Sequence, residues 1–312
     1  MKIIKKLCIV FALSCIVIVG MFFSVVSGKP TFEDTYQSVI QRKYEHLKGT
    51  NEKKIIIVGG SSAGFGIDAS YLEEKTGHKV VNMGLYAGFG NLFNTEIIKE
   101  NINKGDIVIL AYEYTLNEDC FESLGDIDAI TTGVDNKLEI YKMLPLKTYK
   151  IILGNIINYA KKKYTYIPSS SGVYSSQSFD GKGNMIYKRE KCVMENYKDN
   201  INIYGQVTKD KLKITKDNLN YLKELKKWIE RKGASIYFSV PAVLKEAVLP
   251  NTSEFNYYKI KIEEAGIDFI SDPEEYLFDS QYMYDTIYHC NSKGERKRTE
   301  LLYKDLKPYL DE

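Results

Sequence analysis

The sequence predicts an α/β protein with a doubly wound, five-stranded parallel sheet. Five short apolar runs are continuous rather than alternating, which is typical of strands that are covered on both faces. Helical patterns alternate with these runs along the chain, and that order is typical of a doubly wound fold. The five predicted strands are residues 54–58, 80–83, 107–110, 236–240 and 267–270.

Helices are predicted at residues 92–102, 219–229 and 257–264. The second has leucines at helical spacing, with Asp217 as its candidate N-cap and Gly233 as its stop. About a hundred residues separate the third strand from the fourth, far more than the few that usually form such a link. Residues from about 115 to 215 are therefore predicted to be a large insertion, which either shapes specificity or covers one edge of the sheet.

The composition excludes several classes of protein. The chain has 312 residues, 44% of them hydrophobic, so it can bury a sizeable core and is not disordered. Its 43 basic residues against 41 acidic ones exclude a strongly basic nucleic-acid binder. Of the five cysteines, Cys8 and Cys15 lie in an apolar N-terminal run, and the other three have no metal-ligand spacing. We therefore expect neither a metal site nor nucleic acid as a partner.

The N-terminal segment predicts the compartment. Three lysines precede an uncharged run of twenty residues, 7–26, which as a helix extends about 30 Å and matches a bilayer core. The lysines favour a cytoplasmic N-terminus, so residues 1–28 are predicted to be a single-pass membrane anchor with the rest outside the cell. The alternative is a signal segment cleaved after Gly28, which gives a secreted protein. Residues 29–52 are polar and are predicted to be a juxtamembrane helix or stalk before a folded domain at 53–312.

A candidate nucleophile follows the first predicted strand. The strand leads directly into Gly59-Gly60-Ser61-Ser62-Ala63-Gly64, and ligands bind at this end of a parallel sheet. The glycines allow a tight turn that leaves Ser61 at the mouth of the sheet above a helix N-terminus. Two other interpretations are serines that only cap the next helix, and a dinucleotide site, since residues 64–69 match that fingerprint. An outward-facing domain argues against the dinucleotide site.

A serine nucleophile needs a base, and the chain has only three histidines. His46 lies in the predicted stalk and His78 in a turn, where we expect solvated surface roles. His289 follows the last predicted strand, with Asp285 four residues upstream. A carboxylate at that position can accept the Nδ1 proton and leave Nε2 free to act on the serine. Asp279 is a poorer substitute for Asp285.

These blocks together resemble the SGNH (GDSL-like) hydrolase superfamily. The resemblance lies in Gly-x-Ser after the first strand, in residues 82–88 after the second, and in Asp285 with His289 before the C-terminal helix. It covers residues 54 to about 120 and 234–312, and leaves the insertion unmatched. It implies a flavodoxin-like SGNH fold, with His289 as base and Asp285 as its orienting acid, although a spacing of three is commoner than the four found here.

The resemblance also implies an oxyanion hole. Ser61 is expected to donate its own N–H as well as to act as nucleophile, and Gly88 is expected to be a second donor, with Gly84 as the alternative. The third block of the superfamily usually ends in an asparagine that donates to the oxyanion, but this chain has Glu113 there. An ionised carboxylate only accepts hydrogen bonds. Either Glu113 is held protonated, or it points elsewhere, or the protein is not an ordinary hydrolase.

Within the superfamily the chain is most similar to membrane-anchored extracytoplasmic members linked to cell-surface polymer acylation, a group that includes the D-alanyl transfer protein of teichoic acid synthesis. The similarity implies a serine esterase or O-acyltransferase that acts through an acyl-serine on a cell-surface polysaccharide or teichoic-type polymer. A membrane-bound O-acyltransferase is the implied partner, and no cofactor is implied. The alternative is a catalytically silent module that binds surface polymer or supports an envelope acylation complex.

Overall fold

A five-stranded parallel sheet forms the centre of the protein, as the sequence predicts. The computed structural model describes residues 2–310. The sheet has the strand order β2-β1-β3-β4-β6, and β5 pairs with β7 in a separate parallel pair. The strands are β1 (Lys54–Gly59), β2 (Lys79–Gly84), β3 (Ile107–Ala111), β4 (Ser235–Phe238), β5 (Val243–Leu244), β6 (Asp268–Phe269) and β7 (Leu277–Phe278).

Helices follow and separate the strands. In chain order they are α1 (Lys2–Val26), α2 (Val39–Gly49), α3 (Ser61–Gly66), α4 (Ala69–Thr76), α5 (Asn91–Glu96), α6 (Ile127–Gly133), α7 (Leu138–Lys142), α8 (Tyr149–Gly154), α9 (Ile156–Thr165), α10 (Ile201–Tyr204), α11 (Lys216–Arg231), α12 (Thr252–Glu263) and α13 (Ser292–Leu306). Residues 112–234, which connect β3 to β4, contain α6 to α11.

The continuous apolarity of the strands is explained by burial on both faces. Alternate residues of β1 and β3 belong to two separate apolar clusters, with Ile56 and Val108 in one and Ile57 and Ile109 in the other. Helices α3, α4 and α13 pack on the face of Ile57, while α2, α5, α11 and α12 contribute to the cluster on the face of Ile56. Side chains on both faces are therefore excluded from water.

Several helix boundaries differ from the predicted ones. The helix predicted at 92–102 ends at Glu96, and a separate 3₁₀ turn follows at Lys99–Asn101. The N-cap of α11 is Thr215, whose hydroxyl accepts the Asn218 N–H, so the prediction of Asp217 was wrong. Asp217 lies inside the first turn, where a carboxylate is favoured by the helix dipole.

The segment predicted to be a stalk is part of the folded body from Phe32 onward. Helix α2 has one apolar face. Its residues Ile40, Tyr44 and Leu47 are buried in the cluster on the Ile56 face of the sheet. Its exposed face carries the polar residues that suggested a stalk. The prediction that the folded domain starts at residue 53 therefore differs from the structure, because a short amphipathic helix is polar on average even when it covers a core.

One N-terminal helix, α1, is long and apolar enough to cross a membrane by length and composition. Its mean hydropathy is 2.7, and the side chains of residues 2–21 are exposed. The end of α1 contacts α9, where Lys163 Nζ donates a hydrogen bond to the Val25 carbonyl at 3.2 Å.

Lys43 gives the fold a pH dependence. Its side chain is buried on α2, and its Nζ donates a hydrogen bond to the Asn82 carbonyl at 2.6 Å. Burial lowers the pKa of Lys43 from 10.5 to about 7, although the charge of Asp180 acts in the opposite direction. Between these two pH values the unfolded chain holds a proton that the folded chain has released. The free energy of unfolding therefore rises with pH across this window.

We expect Lys43→Met to remove this contribution, so that the wild type gains about 2 kcal/mol relative to the variant between about pH 7 and pH 9. The measurement is urea unfolding of the full chain in detergent at both pH values, followed by circular dichroism. Lys48→Met, on the exposed side of the same helix, is the matched control and should follow the wild type. Parallel curves for the wild type and Lys43→Met would contradict the assignment.

Candidate active site

The position of Ser61 is set by a very close contact between α3 and the sheet. A Cβ atom at Gly84 would overlap the backbone nitrogen of Gly64, so neither β2 nor α3 can carry a larger residue at this crossing. The side-chain amide of Asn82 donates to the carbonyls of Ala63 and Ile67 at 3.1 and 2.9 Å. These bonds satisfy carbonyls at the end of α3 and fix the helix on β2. Ser61, the first residue of α3, is thereby held at the end of β1.

The structure brings together the three residues of the predicted triad. Ser61 Oγ lies 2.8 Å from His289 Nε2, and His289 Nδ1 lies 2.8 Å from Asp285 Oδ1. Ser61 is partly exposed, whereas His289 is buried. Asp279, the poorer substitute, is exposed at the start of a different turn. Asp285 is therefore the carboxylate that contacts the imidazole.

The four-residue spacing of Asp285 and His289 is accommodated by a narrow loop. Met283 and Cys290 form an antiparallel bridge, and the Tyr284 N–H donates to the His289 carbonyl at 2.8 Å. The loop between them turns so that the two side chains face each other. Cys290 is fully buried under the loop, as expected of a packing residue rather than a nucleophile.

The charge state of Asp285 orients the histidine. Burial raises the pKa of Asp285, but the hydrogen bond and charge of His289 and the hydrogen bond from Tyr174 outweigh it and hold this pKa below its usual value. An ionised Asp285 accepts the Nδ1 proton, which leaves Nε2 as the acceptor for the Ser61 hydroxyl. The Phe65 ring stacks on the imidazole, with centroids 4.1 Å apart and planes 13° apart. Both contacts restrict rotation of His289.

Tyr174 is a member of the site that the sequence did not reveal. Its hydroxyl donates to Asp285 Oδ2 at 2.5 Å and lies 3.3 Å from His289 Nδ1. It belongs to the long connection between β3 and β4, and a bridge between Thr35 and Ser175 holds the next residue in place. No local pattern distinguishes it among 25 tyrosines, because its role depends on a contact with a distant loop.

Two buried arginines join the segments that carry the triad. Arg189, also from the long connection, donates to the carbonyls of Phe65 and Cys290 at 2.7 and 2.9 Å. It thus links α3 to the residue after His289. Arg298 of α13 donates to the Ser62 carbonyl at 2.5 Å. Neither role was predicted, since these bonds join each arginine to backbone carbonyls of segments distant in the chain.

The expected oxyanion donors are in part available. The Ser61 and Gly88 N–H groups make no hydrogen bond within the described residues. Gly88 lies in a 3₁₀ turn, Ala87–Phe89, next to the end of β2. The Gly84 N–H, the alternative donor, is engaged by Asn82 Oδ1 at 2.8 Å, so the structure contradicts that alternative.

Glu113 points at the start of α3. Its Oε1 accepts the Ser62 N–H at 2.8 Å, and its carboxyl group fills the space where a side chain at Gly60 would lie. The side chain is almost completely buried. The Glu113 carboxyl group therefore acts as a hydrogen-bond acceptor at the first turn of α3, one residue from Ser61.

His46 and His78 do not contribute to this site. His46 lies on α2 and is half buried, with its Nδ1 unpartnered among the described residues, and His78 Nδ1 lies 3.0 Å from the Thr76 carbonyl. Within residues 2–310, no three His, Cys, Asp or Glu side chains converge to form a metal-binding group. We therefore assign no residue to a metal or cofactor.

No model of a known protein family matches the chain, and no curated protein sequence matches it with significant similarity. The interpretation of the site therefore depends on its own residues and their geometry.

We expect Tyr174→Phe to slow the reaction of Ser61 with a fluorophosphonate about tenfold, because Asp285 loses a charge-assisted hydrogen bond. The rate is measured on the full chain in detergent by the time course of labelling. Tyr284→Phe is the matched control, since the Tyr284 hydroxyl contacts no member of the triad in the part of the chain that the structure describes. Equal rates for the two variants would show that Tyr174 does not act through Asp285.

Proposed function

We propose that this protein is a membrane-anchored, extracytoplasmic serine esterase or O-acyltransferase of the SGNH type. Its substrates are acyl groups of a cell-surface polysaccharide or teichoic-type polymer. The observation that carries the proposal is the continuous hydrogen-bonded chain from Ser61 through His289 to Asp285. Three residues chosen from sequence blocks far apart in the chain form the geometry that an activated serine requires.

The architecture supports the proposed superfamily. The parallel strand order with helices on both faces supports the proposal of a doubly wound, flavodoxin-like sheet. Ser61 lies at the carboxyl end of a central strand, where such sheets bind ligands. The long connection at 112–234 corresponds to the proposed insertion and supplies Tyr174 and Arg189 to the site.

The first half-reaction transfers the acyl group to Ser61. His289 Nε2 removes the hydroxyl proton as Ser61 Oγ attacks the acyl carbonyl, and Asp285 stabilises the resulting imidazolium. The N–H groups of Ser61 and Gly88 stabilise the oxyanion. The ester bond to the leaving alcohol then breaks, and His289 returns the proton to that alcohol. The products are an acyl-Ser61 ester and the free alcohol.

The acceptor of the second half-reaction distinguishes the two activities. Water attacking acyl-Ser61 regenerates the serine and releases a carboxylic acid, which makes an esterase. A sugar hydroxyl takes the same role in an O-acyltransferase, with His289 again removing and returning the proton. With α1 as an anchor and the domain outside the cell, a membrane-bound O-acyltransferase is the proposed partner that supplies acyl groups.

We expect a fluorophosphonate probe to label the full chain, and Ser61→Ala or His289→Ala to abolish the labelling. These changes remove the nucleophile and its base, respectively. Labelling is measured by in-gel fluorescence of the detergent-solubilised protein. Ser62→Ala is the matched control, because the Ser62 hydroxyl is buried and lies off the triad, so this variant should still be labelled. A folded wild-type protein that takes up no probe would contradict the proposal.

Glu113 favours a second candidate function, the catalytically silent module that binds surface polymer or supports an envelope acylation complex. A buried carboxyl group occupies the place of the usual oxyanion donor and takes the Ser62 N–H as its partner. A negative charge beside a developing oxyanion raises the barrier to reaction. In such a module the fold and polymer-binding surface remain without the reaction.

Glu113→Gln separates the two functions. Glutamine keeps an acceptor for the Ser62 N–H and removes a carboxylate charge, so we expect labelling of Ser61 to become about tenfold faster, equivalent to about 1.4 kcal/mol in the barrier. Glu113→Ala removes the same charge together with the acceptor for the Ser62 N–H, so its gain should be smaller than that of Glu113→Gln by the effect of the lost hydrogen bond. An unreactive wild type and an equally unreactive Glu113→Gln, both folded, would favour the silent module.

A further inference from the structure

Exposed apolar side chains are concentrated near one helix outside α1. Among the described residues beyond α1, five large apolar side chains are more than 70% exposed, and four of them lie between residues 146 and 167. The four are Leu146 at 87%, Ile157 at 74%, Tyr164 at 93% and Ile167 at 78%. Contiguous exposed apolar groups of this kind mark a surface that contacts a partner.

Three of these residues belong to α9 or follow it directly. Ile157, Lys161 and Tyr164 are spaced by four and three residues, so they share one face of the helix. Ile167 is exposed and extends the apolar surface beyond the end of the helix. Lys162 is turned the other way, where its Nζ donates to the Thr132 hydroxyl at 2.8 Å. We call Ile157, Lys161, Tyr164 and Ile167 the α9 face. It combines apolar, aromatic and cationic groups.

A neighbouring side of α9, about 100° around the helix from Tyr164, is anchored next to the end of α1. Lys163 Nζ donates to the Val25 carbonyl and also pairs with Asp135 Oδ1 at 2.7 Å. Asp135 is buried, and its other oxygen accepts the Thr31 N–H at 2.7 Å. The chain that leaves α1 and the C-terminal turn of α9 are therefore held by one carboxylate.

This anchoring sets how far the α9 face can lie from the point where α1 ends. Helix α9 has ten residues and so spans about 15 Å. Its last turn carries Lys163, which contacts α1 directly. Tyr164, one residue from Lys163, therefore lies at the end of α9 that is nearest to α1, and the rest of α9 lies within about 20 Å of the end of the apolar helix.

We propose that the α9 face lies on the surface of the lipid bilayer that α1 crosses. The inference rests on the membrane anchor of the proposed function. Isoleucine and tyrosine side chains occupy the boundary between headgroups and acyl chains, and lysines beside them attract anionic lipids. A bilayer is favoured over a protein partner because the α9 face is continuous with the end of α1 and has the residue types of a membrane interface.

The test uses fluorescence quenching of the full chain in vesicles of phosphatidylcholine and phosphatidylglycerol. Trp228, the only tryptophan, is changed to phenylalanine, and Tyr164→Trp places a single reporter on the α9 face. We expect its emission to fall about twofold or more when lipids with brominated acyl chains replace ordinary ones, since interfacial side chains reach the acyl boundary. Because both leaflets carry bromine, the result is independent of orientation in the vesicle.

A second reporter is the matched control. Tyr257→Trp, in the same Trp228→Phe background, lies on α12, which packs at β6, the sheet edge opposite β2. Tyr257 is half exposed, and we expect no quenching there. Lys161→Glu should reduce quenching of the Tyr164→Trp reporter in vesicles that contain phosphatidylglycerol, and less so in phosphatidylcholine alone.

Three results would overturn the inference. In the first, Tyr164→Trp stays unquenched although the protein floats with the vesicles. In the second, its emission depends on protein concentration and not on bromine, which assigns the α9 face to a second copy of the chain. In the third, the protein does not float, so α1 is not an anchor. Fluorophosphonate labelling of Ser61 in the same samples reports separately on the proposed chemistry.

Discussion

The distance between helix α3 and the sheet is the constraint on which the candidate site depends. The backbones of α3 and β2 are in contact where Gly64 crosses Gly84. At the end of β1, a Cβ atom at Gly59 would lie only 3.1 Å from the Cβ atom of Ala63 on the same helix. A methyl group at these points would push the helix away from the sheet. The side chain of Asn82 then fixes the helix at that distance. Ser61 meets His289 because this close contact sets the height of the helix above the strands.

The two halves of the site come from opposite ends of the folded domain, and the connection between β3 and β4 joins them. Arg189 binds one carbonyl in each half of the site, that of Phe65 on α3 and that of Cys290 next to His289. A buried guanidinium is costly unless its donors are satisfied. Here Glu295 and two carbonyls are partners of the two terminal nitrogens, while Nε has no partner among the described residues. The long connection is therefore structural for the site and not only a cover over one edge of the sheet.

The sequence predicted those parts of the molecule that depend on local pattern. Continuous apolar runs located all five strands of the sheet, because burial on both faces leaves no polar alternation. A glycine-flanked serine and an aspartate near a histidine located three side chains that do meet. Local pattern could not predict the roles of Tyr174 and Arg189 or the bond between Glu113 and the Ser62 N–H. Each of these is a contact between segments distant in the chain. The burial of helix α2 was not predicted for another reason. Only one of its faces is apolar, so the segment as a whole has a polar composition.

The path from α1 to the site is short and rigid. Asp135 holds Thr31, Asp34 accepts hydrogen bonds from Tyr166 and Ser170, and Thr35 pairs with the residue that follows Tyr174. A domain on a flexible tether samples a large volume, but a domain held in this way does not. If α1 crosses a bilayer and the proposed reaction takes place at Ser61, that reaction occurs at one fixed height above the bilayer. Acyl groups on a long polymer would then be reached only in the layer of the envelope at that height, so the architecture itself would select substrates by position.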